Sequence, residues 1–193
     1  MLKHALLLLF FFSGSHAFGQ VHVLIVYHSE SGHTEMMAQS VSDGAQSVDG
    51  VYVLLRTTEN VTQDELLRAN AIIVGSPVYN ANVTPEISSF IASWPFEDQP
   101  LKNKIGAAFV TAGGISAGEE IVQMNILQSM LIFGMIVVGG PDWTQPFGAS
   151  AVTGEPPFRV GDNMLNQLFL DKGYKLGERV AEVSSAFHQT NSH

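Results

Sequence analysis

Residues 21–27 (VHVLIVY) form a nearly unbroken apolar, β-branched run. A strand of that kind needs cover on both faces, which a parallel sheet with helices on each side supplies. The period then changes. Met37, Val41, Gly44 and Val48 recur at helical spacing across residues 34–48, the mark of a helix with one apolar face. The same alternation continues along the chain. Residues 51–56, 71–75, 105–112 and 135–139 read as four more strands. Residues 64–69, 85–94, 117–133 and 162–187 read as helices, and residues 142–161, rich in Pro, Gly and small side chains, read as a long loop. The polar end after His188 reads as frayed. Five strands alternating with helices predict an α/β fold, a five-stranded parallel sheet with helices on both faces and right-handed crossovers.

Composition limits what such a domain does. Charged residues make up 14% of the 193, and the formal net charge is −9. The nine basic residues form no run, which argues against nucleic acid and against an anionic membrane surface. There is no cysteine, so disulfides, thiolate nucleophiles, iron–sulfur clusters and Cys-based zinc sites are excluded. No His/Asp/Glu group has metal-ligand spacing, and neither a nucleophile elbow nor a Walker A loop is present. Lys3 and His4, an apolar run over 5–12 and small residues over 13–17 read as a signal peptide spanning 1–19, cleaved after Ala17 or Gly19. The run is too short to span a bilayer. The mature chain, 20–193, is then one domain, secreted or otherwise extracytoplasmic, with no membrane span.

In a doubly wound sheet, ligands sit beyond the carboxyl ends of the strands, where strand order reverses. Three loops matter most. The first is Ser29-Glu30-Ser31-Gly32-His33-Thr34. It offers three hydroxyls, a glycine for a tight turn and the start of a helix, whose free N–H groups and dipole suit a phosphate. It holds no Lys or Arg, so Glu30 must point away from an anion. The second is Gly75-Ser76-Pro77-Val78-Tyr79-Asn80-Ala81-Asn82, and the third is Thr111-Ala112-Gly113-Gly114-Ile115-Ser116. Thr84 is the expected N-cap of the helix after the second loop, with Pro85 at its first position. Asn60-Val61-Thr62 and Asn82-Val83-Thr84 are glycosylation sequons. His22, His28, His33 and His188 read as strand, supporting or solvent-facing residues.

The first loop resembles the FMN phosphate loop of flavodoxins. Residues 23–45 as a whole look like the Trp-repressor-binding-protein type of NAD(P)H:quinone oxidoreductase. The resemblance runs from about 21 to 183. It implies a flavodoxin-like fold, with FMN held by Ser29, Glu30, Ser31, Gly32, His33 and Thr34 at the phosphate. It also implies Pro77, Val78, Tyr79, Asn80, Thr111, Ala112, Gly113 and Gly114 at the flavin. Tyr79 would stack on the ring or shape the substrate side. Gly118-Glu119-Glu120 and Pro146-Phe147-Gly148-Ala149 also follow the family's manner. One position departs: where the family places a histidine close to the flavin, before Gly134-Met135, this chain has Phe133. Trp94 reads equally as a neighbour to another subunit's flavin or as a helix-end residue.

The resemblance implies an FMN-dependent enzyme that uses NADH or NADPH to reduce a quinone-like small molecule. No side chain is a certain general acid or base, and the chain would form a homo-oligomer, a dimer or tetramer. A flavodoxin-type electron carrier is the alternative, and it suits the acidic balance. A flavin-free member with an interaction role is the third reading.

Overall fold

The computed structural model describes residues 20–162 and 164–190. The proposed signal peptide, 1–19, lies outside them. The central strand β1 (Val21–Tyr27) pairs in parallel with β2 (Val51–Thr57) on one side and β3 (Ala71–Pro77) on the other. Beyond β3 comes β4 (Ile105–Ala112), then β5 (Ile136–Val137), giving the order β2-β1-β3-β4-β5. The direction of winding reverses between β1 and β3, so the crevice expected of such a sheet opens at their carboxyl ends.

Alternation along the strands splits the core in two. Val23, Ile25 and Tyr27 point to one face with Ala71, Ile73, Ala107 and Phe109; there they meet Met37 and Val41 of α1 (His33–Gln46) and Leu176 and Val180 of α5 (Gln167–Thr190). Leu24, Val26, Ile72, Val74 and Ala108 point to the other. They pack under α2 (Gln63–Arg68), α3 (Pro85–Ala92) and α4 (Glu119–Ile132), through Leu66, Ile87 and Ile126. Burying each of these aliphatic side chains contributes about 1.5–3 kcal/mol. The pair α1 and α5 sits unusually close. A Cβ at Gly44 would stand 1.8 Å from the Tyr174 carbonyl oxygen, and one at Gly177 would stand 1.9 Å from that of Val41.

Two expectations need correction at the sheet edge. The fifth strand is two residues long rather than five, and the loop read over 142–161 contains a strand, β6 (Ala149–Val152). Ile136 faces Ile105 at the start of β4, whereas Ala149 faces Phe109 further along the same edge. The fifth position is therefore one strand interrupted by an excursion over 138–148. Gly139, Gly140 and Pro141 end the first piece. Ala149 and Ala151, both fully buried, re-enter the sheet in the core cluster that α5 covers. α5 itself starts at Gln167 rather than near Asp162, with the Asn166 side chain accepting from the Leu168 N–H at 3.0 Å. It continues to Thr190, past the residue where fraying was expected.

Candidate functional site

The three loops converge at the carboxyl end of the sheet. Thr34, in the first turn of α1, and Thr111, at the end of β4, share a buried hydrogen bond of 2.8 Å between their hydroxyls. The first and third loops are thus joined directly, a link the sequence gives no sign of. The second loop joins through backbone: the Val78 N–H donates to the Thr111 carbonyl at 2.8 Å, and Ala81 lies so near Gly118 that a Cβ there would come within 2.7 Å.

The first loop has an unusual helix start. Gly32 is the N-cap of α1 at φ +83°, and no side chain caps the helix. Nothing lies within 4 Å of where a Gly32 Cβ would point. Glycine is thus required here by conformation, not by crowding. The loop hydroxyls are turned to local partners: Ser29 Oγ accepts from the Gly32 N–H at 3.1 Å, and Ser31 Oγ meets His33 Nδ1 at 2.9 Å. Glu30 turns toward His28, 4.0 Å away, and bonds the Tyr79 phenol. Burial, then that hydrogen bond, pushes the phenol's pKa up.

The second loop is a tight turn. Tyr79 and Asn82 exchange backbone hydrogen bonds of 3.0 and 2.9 Å, with Asn80 and Ala81 at φ +52° and +58°. This is the hairpin geometry that needs two left-handed residues. Asn80 tolerates it, and Ala81 is an uncommon occupant. The Asn82 amide, within a sequon, donates to the Asn80 carbonyl at 2.8 Å. The expected cap follows: Thr84, fully buried, accepts from the Ile87 N–H at 3.4 Å.

The third loop leaves Gly113 facing open space. It is held by residues the sequence reading passed over as loop. Thr153 and Gly154 donate to the Ala112 and Gly113 carbonyls at 2.8 and 2.9 Å, and Glu155 accepts from the Ile115 N–H at 2.7 Å. Only the structure places them, because nothing in their spacing marks contact with a loop 40 residues away.

His28 takes the supporting rather than the solvent-facing place of its two readings. Its side chain is 15% exposed, and Nε2 stands 3.6 Å from Glu86 on α3. The Glu86 carboxylate is held below its usual range by its own backbone N–H, then by the Thr84 hydroxyl and by His28. Phe133 and Trp94, in contrast, lie at the opposite end of the sheet. Phe133 follows α4 and packs edge-on against Trp94 at 5.3 Å and Phe96 at 5.7 Å. Gly134 accepts from the N–H of Asn103, just ahead of β4. The aromatic that replaces the family's histidine is therefore remote from its own chain's loops. Among the described residues, no group of three or more His, Asp or Glu is placed to hold a metal ion.

Comparison with known proteins agrees with this geometry. The family model described as NADPH-dependent FMN reductase matches residues 20–149. A flavodoxin of Aquifex aeolicus is 33% identical over 69% of this chain and 75% of its own length. An NAD(P)H dehydrogenase (quinone) of Acidovorax ebreus is 29% identical over 84% of this chain and 96% of its own. The crystal structure of a flavodoxin, WrbA-like protein from Agrobacterium tumefaciens superposes with a TM-score of 0.71 at 21% identity, covering 86% of this chain and 98% of that one.

Proposed function

Because the chain belongs to the NADPH-dependent FMN reductase family and has the flavodoxin-like fold, we propose that it oxidises NADH or NADPH and reduces a quinone or similar acceptor. The observation that carries the reading is the uncapped start of α1. Its left-handed Gly32 is flanked by hydroxyls and by no cation. That arrangement fits a phosphate held by N–H groups and helix dipole.

Ser29, Glu30, Ser31, Gly32, His33 and Thr34 would surround the phosphate, Glu30 through its backbone, since its carboxylate turns to Tyr79 and His28. Pro77, Val78, Tyr79 and Asn80 would border the ring on one side, and Thr111, Ala112, Gly113 and Gly114 on the other. FMN bound there would supply the redox chemistry between the nicotinamide and the acceptor. The chain's part is placement. Thr34 and Thr111 fix the two loops to each other, the Asn80-Ala81 turn sets the height of Tyr79, and Glu155 holds the third loop in its path.

Two further properties belong to the same reading. Export under residues 1–19 would release a chain starting near residue 18 or 20, which N-terminal sequencing of secreted protein reads directly. Assembly into a homo-oligomer is supported by apolar side chains on the outer side of α4: Ile121, Leu131 and Ile132 are 63%, 54% and 71% exposed, beside the polar Asn125 and Gln128. Light scattering should give a dimer or tetramer.

The test of the activity is spectroscopic, then kinetic. Purified protein should carry or take up FMN and show flavin absorbance. With benzoquinone present it should oxidise NADH or NADPH. Colourless protein that refuses FMN overturns the reading, and flavoprotein without turnover on either nicotinamide leaves an electron carrier.

A further inference from the structure

His28 sits where three elements of the site meet. Its Nε2 is sealed from solvent and makes no hydrogen bond, yet carboxylate oxygens of Glu86 and Glu30 stand 3.6 and 4.0 Å away. Those distances are too long for hydrogen bonds and short enough for ion pairs. Glu30 belongs to the phosphate loop and bonds the Tyr79 phenol of the second loop, while Glu86 lies in the first turn of α3. The imidazole is 15% exposed and the Glu30 and Glu86 side chains are 66% and 40% exposed, so a mostly covered ring bridges two carboxylates at the rim of the site.

We propose that His28 is a positioning residue. As imidazolium it ties Glu30 to Glu86 and holds the phosphate loop against the second loop; as neutral imidazole it lets them part. The inference rests on the reading of these loops as the FMN cradle. The charged and titratable groups that bear on His28 are Glu30 on its own loop, Glu86 on α3 and Tyr79, which faces it across Glu30. Glu59, on the loop after β2, lines the groove that Glu86 also borders. No Lys or Arg lies in the three loops. His28 and His33 are therefore the groups here that could carry positive charge, and His28 is the one that stands beside the Glu30 and Glu86 carboxylates. Closure therefore belongs to the protonated form of the imidazole.

The experiment is an FMN titration of apoprotein at pH 5.5 and pH 8 for wild type, His28→Gln and Glu86→Gln. The phosphate's own ionisation near pH 6 is common to all three and cancels in the ratios. Wild type should outbind His28→Gln by about tenfold more at pH 5.5 than at pH 8. Glu86→Gln should lose part of that difference. Equal ratios at the two pH values overturn the proposal. Thermal denaturation of the flavin-free proteins gives a readout independent of FMN. A double-mutant cycle on His28 and Glu86 should show coupling at pH 5.5 that vanishes at pH 8, and coupling absent at both overturns the proposal. If no variant binds FMN, the cofactor reading fails while the cycle still decides the role of His28.

Discussion

α1 and α3 begin at the same end of the sheet, after neighbouring strands, and their first turns are built in opposite ways. At α3 the orphan N–H groups are met internally: Thr84 is fully buried and caps Ile87, with Pro85 at the first helical position. At α1 the cap residue is Gly32, left-handed and without a side chain. One start contributes to stability by sealing itself. The other leaves its donors and its dipole facing the crevice. On the proposed reading, two similar strand–helix turns divide between holding the fold and holding an anion.

Substitutions at the two starts should separate these roles. The largest effect is expected from Thr34→Val, which removes the bond to Thr111 and strands a buried hydroxyl. FMN affinity should fall by about 1–3 kcal/mol in a fluorescence titration; unchanged affinity would remove Thr34 from the site. Thr84→Val should cost about 1–2 kcal/mol of stability in urea, equally with and without flavin. A loss confined to the flavin-bound protein would erase the contrast between the starts. Ser31→Asp is the sharpest probe, because its two effects oppose. A carboxylate beside the start of α1 should stabilise the flavin-free protein by about 0.3–1 kcal/mol while weakening FMN. If both quantities moved the same way, the open start would not be an anion seat. The smallest effect concerns α2, which Thr62 and Glu65 cap reciprocally. A hydrogen bond from Arg56, then the Thr62 N–H, lowers the Glu65 pKa below 4.5. A depressed carboxylate stabilises above its ordinary pKa, and the contribution disappears as pH falls through the folded value. Glu65→Gln should therefore flatten the acid limb of the stability profile slightly and leave FMN affinity unchanged.

The long apolar strands, the helical period of α1 and the Thr84-Pro85 start were legible in the sequence because each is a local pattern. The parallel sheet and the gathering of loops at its carboxyl end follow from that alternation. β6 was not legible. Four small residues between glycines and prolines look like loop, and only the free edge of β4 makes them a strand. The same limit hid the Thr34–Thr111 bond, the support from Glu155 and the burial of His28, which join residues far apart in the chain. Phe133 teaches the reverse lesson. A family position points to the flavin, yet the path of α4 carries Phe133 to the far end of the sheet, against Trp94.

The most direct test of the central claim compares FMN with riboflavin, which lacks the phosphate, on the same apoprotein. If the start of α1 is a phosphate seat, FMN should bind about a hundredfold more tightly, near 2.7 kcal/mol, the scale of charge-assisted hydrogen bonds to an anion. Equal affinity for the two flavins would contradict the account.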